Sequence, residues 1–195
     1  MPVIYFLRHG ETDWNVEQRM QGQLEVPINA NGRAQVARNG RVLHDLLGEE
    51  TGRFDFVASP QLRTRQTMEI VRAKMGLAPA AYRTDDRLRE IHKGSWQSFL
   101  WSEIAARFPE SFVAYEGDRW NVRPPGQGAE SFADLYARVC TWLDGVARDT
   151  VAVSHGGPMR CIRRRVLGLD DASTLALTAP QDRVLRIEKR ELSWI

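Results

Sequence analysis

The chain has 195 residues, 43% of them hydrophobic and 27% charged, which is enough apolar mass for one ordinary globular core. Lys and Arg total 27 against 25 Asp and Glu, for a formal net charge of +2. That lacks the basic excess of a nucleic-acid-binding or membrane-surface protein.

Residues 3–7 form an apolar run rich in β-branched and aromatic side chains, which predicts a buried strand over 3–8. A polar loop broken by Pro27 follows over 11–30. The pattern then predicts a helix over 31–47, with Val36, Val42, Leu43, Leu46 and Leu47 as its apolar stripe. Asn29 or Asn31 is its cap, and Gly48 follows its end. A strand is expected at 54–58. Ser59 is placed as N-cap and Pro60 as first residue of a helix reaching about Met75. A strand at 81–84, a loop at 86–96 and a helix at 98–108 ended by Pro109 come next. Residues 109–130 read as irregular, since Gly117, Pro124, Pro125, Gly126 and Gly128 break the periodicity. A helix is expected at 132–147, a strand at 150–154, a helix running to Val166, and two late strands at 174–177 and 184–188.

Strands alternate with helices, which argues for a mainly parallel sheet covered on both faces. The expectation is an α/β fold: a three-layer α/β/α sandwich whose central sheet gains an antiparallel strand near the end. One domain is expected over residues 1–195, with a small cap insertion at about 93–128. Cys140 and Cys161 fall in no metal-ligand or disulfide pattern and read as small buried thiols. No run approaches the ~20 apolar residues of a membrane span, and the amino terminus enters a strand without a signal-like segment. A soluble, cytoplasmic protein is the expectation.

Three predicted strand ends carry chemistry. The first delivers Arg8-His9-Gly10, the second Ser59-Pro60 with Arg63 one turn later, the third Ser154-His155-Gly156-Gly157. In a parallel sheet all three reach one carboxyl edge, where ligands bind. Gly10 is expected to free the backbone there and to admit a ligand closely. Two arginines, two histidines and the amino termini of two helices suit a doubly charged phosphoryl group. Each piece alone is compatible with an ordinary strand end; one phosphate site explains all three together.

With these residues in view, the sequence resembles the histidine phosphatase superfamily, the phosphoglycerate mutase-like or RHG family. The likeness rests on Leu7-Arg8-His9-Gly10-Glu11-Thr12 with Trp14-Asn15, then Gly22 to Gln35, then Ser59-Pro60 with Arg63-Thr64 and Gln66-Thr67. Leu88-Arg89-Glu90-Ile91 with Gly94 and Trp96, Glu130-Ser131, and Ser154-His155-Gly156-Gly157 complete it. The match spans about residues 3–168.

The resemblance implies roles. His9 would accept the phosphoryl group. Arg8, Arg63 and His155 would surround its oxygens, with His155 as a cation or as a donor. Glu90 would protonate the leaving oxygen and then activate water. Asn15, Gln21, Gly22 and Gly156 would contact substrate. No metal or cofactor is implied, because guanidinium and imidazole groups take over charge stabilisation. The expected partner is a small phosphorylated molecule, with neither nucleic acid nor membrane involved. The oligomeric state is open, a homodimer included. The expected activity is a metal-independent phosphatase working through a phosphohistidine. Phosphoglycerate mutase is the first alternative and a non-catalytic phospho-ligand binder the second. A serine hydrolase is disfavoured, as no GxSxG elbow is present.

The chain also departs from the family. Gln97-Ser98 stand where an acidic residue and a glycine are common, and Glu25 replaces an aspartate before the Pro27 position. Gln97-Ser98 are expected to reshape the substrate rim. In the cap, His92, Lys93, Arg119, Trp120 and Arg123 are candidate substrate contacts.

Overall fold

The computed structural model describes residues 2–195. β1 (Ile4–Arg8), β2 (Asp55–Ala58), β3 (Arg83–Thr84), β4 (Thr150–Ser154), β5 (Val184–Glu188) and β6 (Glu191–Trp194) form one sheet in the order β3-β2-β4-β1-β5-β6. β1, β2, β3 and β4 are mutually parallel, whereas β5 runs antiparallel to both β1 and β6. The sheet is buried on both faces. Ile4 and Phe6 of β1 join Val57 and Ala152 in one core, while Tyr5 and Leu7 join Phe56 and Val153 in the other. The period-2 alternation of side chains produces this division.

α2 (Ala30–Leu47) and α3 (Leu62–Lys74) cover one face; α6 (Phe132–Asp144) and α7 (Gly156–Leu167) cover the other. This is the expected three-layer sandwich. Asn29 caps α2 by accepting the Gly32 N–H at 2.8 Å. The α2 stripe differs in part from the expected one. Leu46 is exposed and Val42 half-buried, while Asn39 and Gly40 face inward. Gly40 is needed there because a Cβ would lie 2.8 Å from Lys74 Cβ and 3.0 Å from Val71 Cα of α3.

Several elements depart from the sequence reading. The loop over 11–30 holds a short helix, α1 (Asp13–Val16), closed by a Thr12–Asn15 capping box. Ser59 does not cap α3. Its N–H extends the sheet ladder to Val153 O at 2.9 Å, and the helix starts three residues later. The Glu25 carboxylate accepts the free Leu62 N–H instead, which gives the replaced aspartate position a structural task. Pro109 both ends α4 (Trp101–Arg107) and opens α5 (Pro109–Gly117), so 109–117 is helical, not irregular. The expected strand at 174–177 is overturned by α8 (Asp171–Ala176), capped by Asp170, which accepts the Ser173 N–H at 2.7 Å. β6 had no sequence signal. It returns through Lys189 and Arg190, both at positive φ, a mirror-image turn without the usual Asn-Gly. Cys161 is buried as expected but Cys140 only half so, and both thiols are free.

Residues 94–122 build a separate aromatic cluster from Trp96, Ile104 and Tyr115, flanked by Phe99, Trp101, Phe108 and Phe112. Ser98 enters this cap at φ 75°, a conformation that favours glycine. It is held there from both sides: its N–H donates to Met20 O at 2.8 Å and its carbonyl accepts from Arg19 at 2.7 Å. Ser98→Gly should therefore stabilise the fold by about 1 kcal/mol, read as a rise of roughly 2–4 °C in Tm. An unchanged or lower Tm would show that the strain is relieved elsewhere.

Candidate active site

β1 and β4 pair in register, with Arg8 opposite Ser154. The ladder runs one residue further, since His9 N–H donates to Ser154 O at 2.9 Å. With Ser59 bonded to Val153 on the other side, three chain segments leave the sheet side by side. This register brings His9, His155 and the start of α3 together.

His9 is 2% exposed. Its Nδ1 lies 2.8 Å from the Gly10 carbonyl. A carbonyl only accepts, so Nδ1 carries the proton and Nε2 keeps its lone pair. Burial, then the charges of Arg63 and Arg8, hold the ring well below the usual histidine range. His9 is thus a neutral imidazole with a bare nitrogen. Gln181 donates to His9 O at 3.0 Å and to Asn15 Oδ1 at 3.1 Å.

Arg63 is fully buried and donates to the carbonyls of Leu24 and Gly22, at 2.9 and 2.8 Å. Burial lowers its pKa to about 10, against the opposing pull of Glu90 and Glu25. Arg8 donates to Ala179 O at 2.7 Å. His155 packs edge-on to His9 with ring centroids 5.2 Å apart, and its Nε2 meets Ser59 Oγ at 2.8 Å. Burial, followed by Arg63, His9, Arg8 and Arg138, keeps His155 neutral. Of the two states expected for it, this burial favours the neutral donor. Three buried nitrogens of this cluster have no partner: Arg8 Nε, Arg63 Nε and His155 Nδ1. Orphan polar atoms in a core are costly unless a ligand answers them.

Glu90 reaches the same point from the loop after Leu88. Its carboxylate accepts the Gly157 N–H at 3.2 Å and the Ile91 N–H at 3.0 Å. Its backbone is pinned by Gln61, Gln23 and Arg138. Arg8, His9, Asn15, Gln21, Gly22, Arg63 and Glu90 all line one cleft of about 580 Å³. His155 and Gly156 stand behind that wall, Gly156 against the Arg8 guanidinium, and Gly157 lines the cleft in Gly156's place. The reason is steric: a Cβ on Gly157 would sit 2.3 Å from Glu90 Oε1. Asn15 Oδ1 accepts from Thr12 and Gln181, which turns its Nδ2 donor to the cleft.

The expected role of Gly10 is corrected. Its φ is not positive, and a Cβ would meet Gly32 O at 2.5 Å. It locks the His9 segment against the start of α2. Gln97 also acts beneath the rim, where its Oε1 accepts the Gln23 N–H at 2.7 Å and backs Gly22. Among the cap candidates, Lys93 and Arg119 line the cleft. Trp120 is instead core, stacked on Phe132. Arg123 pairs with Asp134, and His92 Nδ1 accepts the Gly94 N–H. Gln61, Gln181 and Arg138 carry no assignment from the sequence, and Ser59 only that of a helix cap, because each acts on a backbone or side chain distant along the chain. Among the described residues no helix is long and apolar enough to cross a membrane, and no cluster of three His, Cys, Asp or Glu is placed to hold a metal ion.

A family model described as the histidine phosphatase superfamily (branch 1) matches residues 4–194. The chain belongs to that superfamily. Phosphoglycerate mutase-like protein 4 of Arabidopsis thaliana is 35% identical over 167 residues, covering 83% of this chain and 70% of that one. The metal-independent phosphoserine phosphatase of the same plant is 31% identical over 197 residues, covering 98% and 78%. The solved mycobacterial glucosyl-3-phosphoglycerate phosphatase in complex with VO3 superposes with a TM-score of 0.74 at 28% identity, covering 100% of this chain and 97% of that one. This histidine phosphatase is accordingly an enzyme of the phosphatase class.

The two neutral histidines set a pH dependence. An unfolded imidazole takes up a proton near pH 6.5, whereas the folded ones resist it. Their contribution to stability is therefore present above pH 6.5 and is lost as pH falls below it, by up to about 1.4 kcal/mol per pH unit for each ring. Thermal unfolding from pH 8 to pH 5 should show this decline, and His155→Asn should flatten it. An equal slope in the variant would contradict the assignment.

Proposed function

We propose that this chain hydrolyses a small phosphomonoester in two displacements through a phosphohistidine on His9. The supporting observation is the neutral His9 with its bare Nε2, set among the orphan nitrogens of Arg8, Arg63 and His155. In the first step the Nε2 lone pair attacks phosphorus in line. The bond from phosphorus to the ester oxygen breaks, and the departing oxygen takes a proton from Glu90. In the second step a water oxygen attacks the phosphohistidine and gives a proton to the Glu90 carboxylate. The P–N bond breaks, its electron pair returns to Nε2, and inorganic phosphate leaves.

Arg8 and Arg63 balance the charge on the equatorial oxygens throughout, the task a divalent ion performs in other phosphoryl-transfer sites. His155 Nδ1 donates to an oxygen, with Asn15 Nδ2 and the Gly22 segment completing the cradle. The Gly157 N–H holds Glu90 toward the leaving group. The mutase alternative uses the same first step and returns the phosphoryl group to the substrate instead of to water.

His9→Ala should abolish release of phosphate from an aryl phosphate, measured in excess chelator. Rapid quenching of the wild type should trap an acid-labile, base-stable phosphoenzyme; a phosphoserine would refute the nucleophile. With 3-phosphoglycerate, phosphate release supports the hydrolase, and isomerisation without release supports the mutase. Glu90→Gln should slow esters with poor leaving groups by about 10²-fold or more, and aryl phosphates less. An equal loss on both would make Glu90 structural.

A further inference from the structure

Six cationic side chains line the cleft, namely Arg8, Arg19, Arg63, Lys93, Arg119 and Arg160, against one carboxylate, Glu90. Arg19 is neutralised by Glu17 and Glu103, and Arg119 by Glu116. Arg8, Arg63, Lys93 and Arg160 are in no ion pair among the described residues. Arg8 and Arg63 belong to the transferring phosphoryl group, which leaves Lys93 and Arg160 unexplained.

Lys93 is the more demanding of the two, being 6% exposed. Its Nζ donates to the neutral Tyr115 hydroxyl at 2.7 Å and lies over the Tyr115 and Phe132 rings at 4.7 and 5.1 Å. Glu130, the other carboxylate whose charge reaches Lys93, is claimed by Arg138 at 2.6 Å. Burial brings the Lys93 ammonium down to about 8, with the charges of Arg119 and Arg160 adding to the effect. Glu90 pulls the other way but makes no ion-pair contact with Lys93 among the described residues; a buried ammonium with spare donors and no paired carboxylate is a costly arrangement that an anionic ligand relieves. Arg160 spends Nε on Leu177 O at 2.7 Å and stands at the same cleft.

We propose that Lys93, supported by Arg160, is a specificity-determining residue that binds a carboxylate on the alcohol portion of the phosphomonoester. Burial selects a carboxylate over a second phosphate. Arg160 is part-exposed and screened by water, so the buried charge that lacks an ion-pair partner is the single one on Lys93. A monoanion answers it; a phosphate dianion would bring more negative charge than that one ammonium offsets. This inference rests on the proposed phosphatase reading.

Two pairs of compounds test it, each differing only in the carboxylate: O-phosphoserine against O-phosphoethanolamine, and 3-phosphoglycerate against glycerol 3-phosphate. A propanediol bisphosphate tests the second-phosphate option. The carboxylate-bearing member should be preferred about 30-fold in kcat/KM, within the range for a hydrogen bond to a charged group. The preference should reside mainly in KM. Lys93→Met should collapse the ratio toward one, and Lys93→Arg should restore part of it. Calorimetric binding of the same pairs to His9→Ala, with and without Lys93→Met, reads the subsite without turnover and in a second background. Equal affinities within each pair, a ratio that survives Lys93→Met, or a stronger preference for the bisphosphate would overturn the inference. If the affinity ratio holds but the wild type releases phosphate from no ester, the phosphatase reading fails and the carboxylate subsite stands.

Discussion

The structure depends on keeping one buried imidazole neutral beside two guanidinium groups. A protonated His9 would face Arg8 and Arg63 as a third cation in a space with almost no water. The Gly10 carbonyl pulls the other way, stabilising a proton on Nδ1. Burial and like charge win that contest at the ring as a whole, while the carbonyl decides which nitrogen keeps its hydrogen. The outcome is a bare imidazole nitrogen whose identity is set by a main-chain contact one residue away. Neither guanidinium has a carboxylate in ion-pair contact, so their field is unspent until an anion enters.

The fold supports this by anchoring the cations through carbonyls. Arg63 holds Gly22 and Leu24; Arg8 holds Ala179. Carbonyl acceptors fix a guanidinium in place without cancelling its charge, which a carboxylate partner would do. The same economy governs Glu90, whose backbone is tied to Gln61 and Arg138 while its carboxylate rests on two N–H groups. Gln61 also donates to Gly22 O at 3.1 Å, so Glu90 and the Gly22 segment are set by one buried amide.

The sequence disclosed the parts of this arrangement that are local. Strand runs at 3–8 and 150–154 carry their burial in adjacent residues, and Asn29 caps its helix within three residues of itself. Motif residues His9, Arg63 and Glu90 were visible because chemistry restricts their type. Gln61 and Gln181 were not, and Ser59 was misplaced as a cap, since their partners lie between 29 and 172 positions away. Glycine roles were the least legible. Gly10 and Gly157 serve close approaches to Gly32 and Glu90, and a sequence shows no neighbour across a fold. The late helix α8 was missed because a short apolar run states burial and not period.

The cap repeats the logic of the core in another medium. Trp96, Trp101, Phe112 and Tyr115 meet at centroid distances of 5.0–6.4 Å, all but the tilted Trp96–Phe112 pair edge-to-face, and form one aromatic wall. Tyr115 belongs to that wall and is also the partner of Lys93, so packing of the cap and burial of the ammonium are the same event. An aromatic face attracts a cation without neutralising it. Lys93 is thereby stabilised enough to stay buried and left charged enough to bind. His9 is surrounded by cations whose partners are carbonyls, and Lys93 by rings and a hydroxyl. In both places the protein leaves the cation without an ion-paired carboxylate among the described residues, so its charge is held in position and not cancelled.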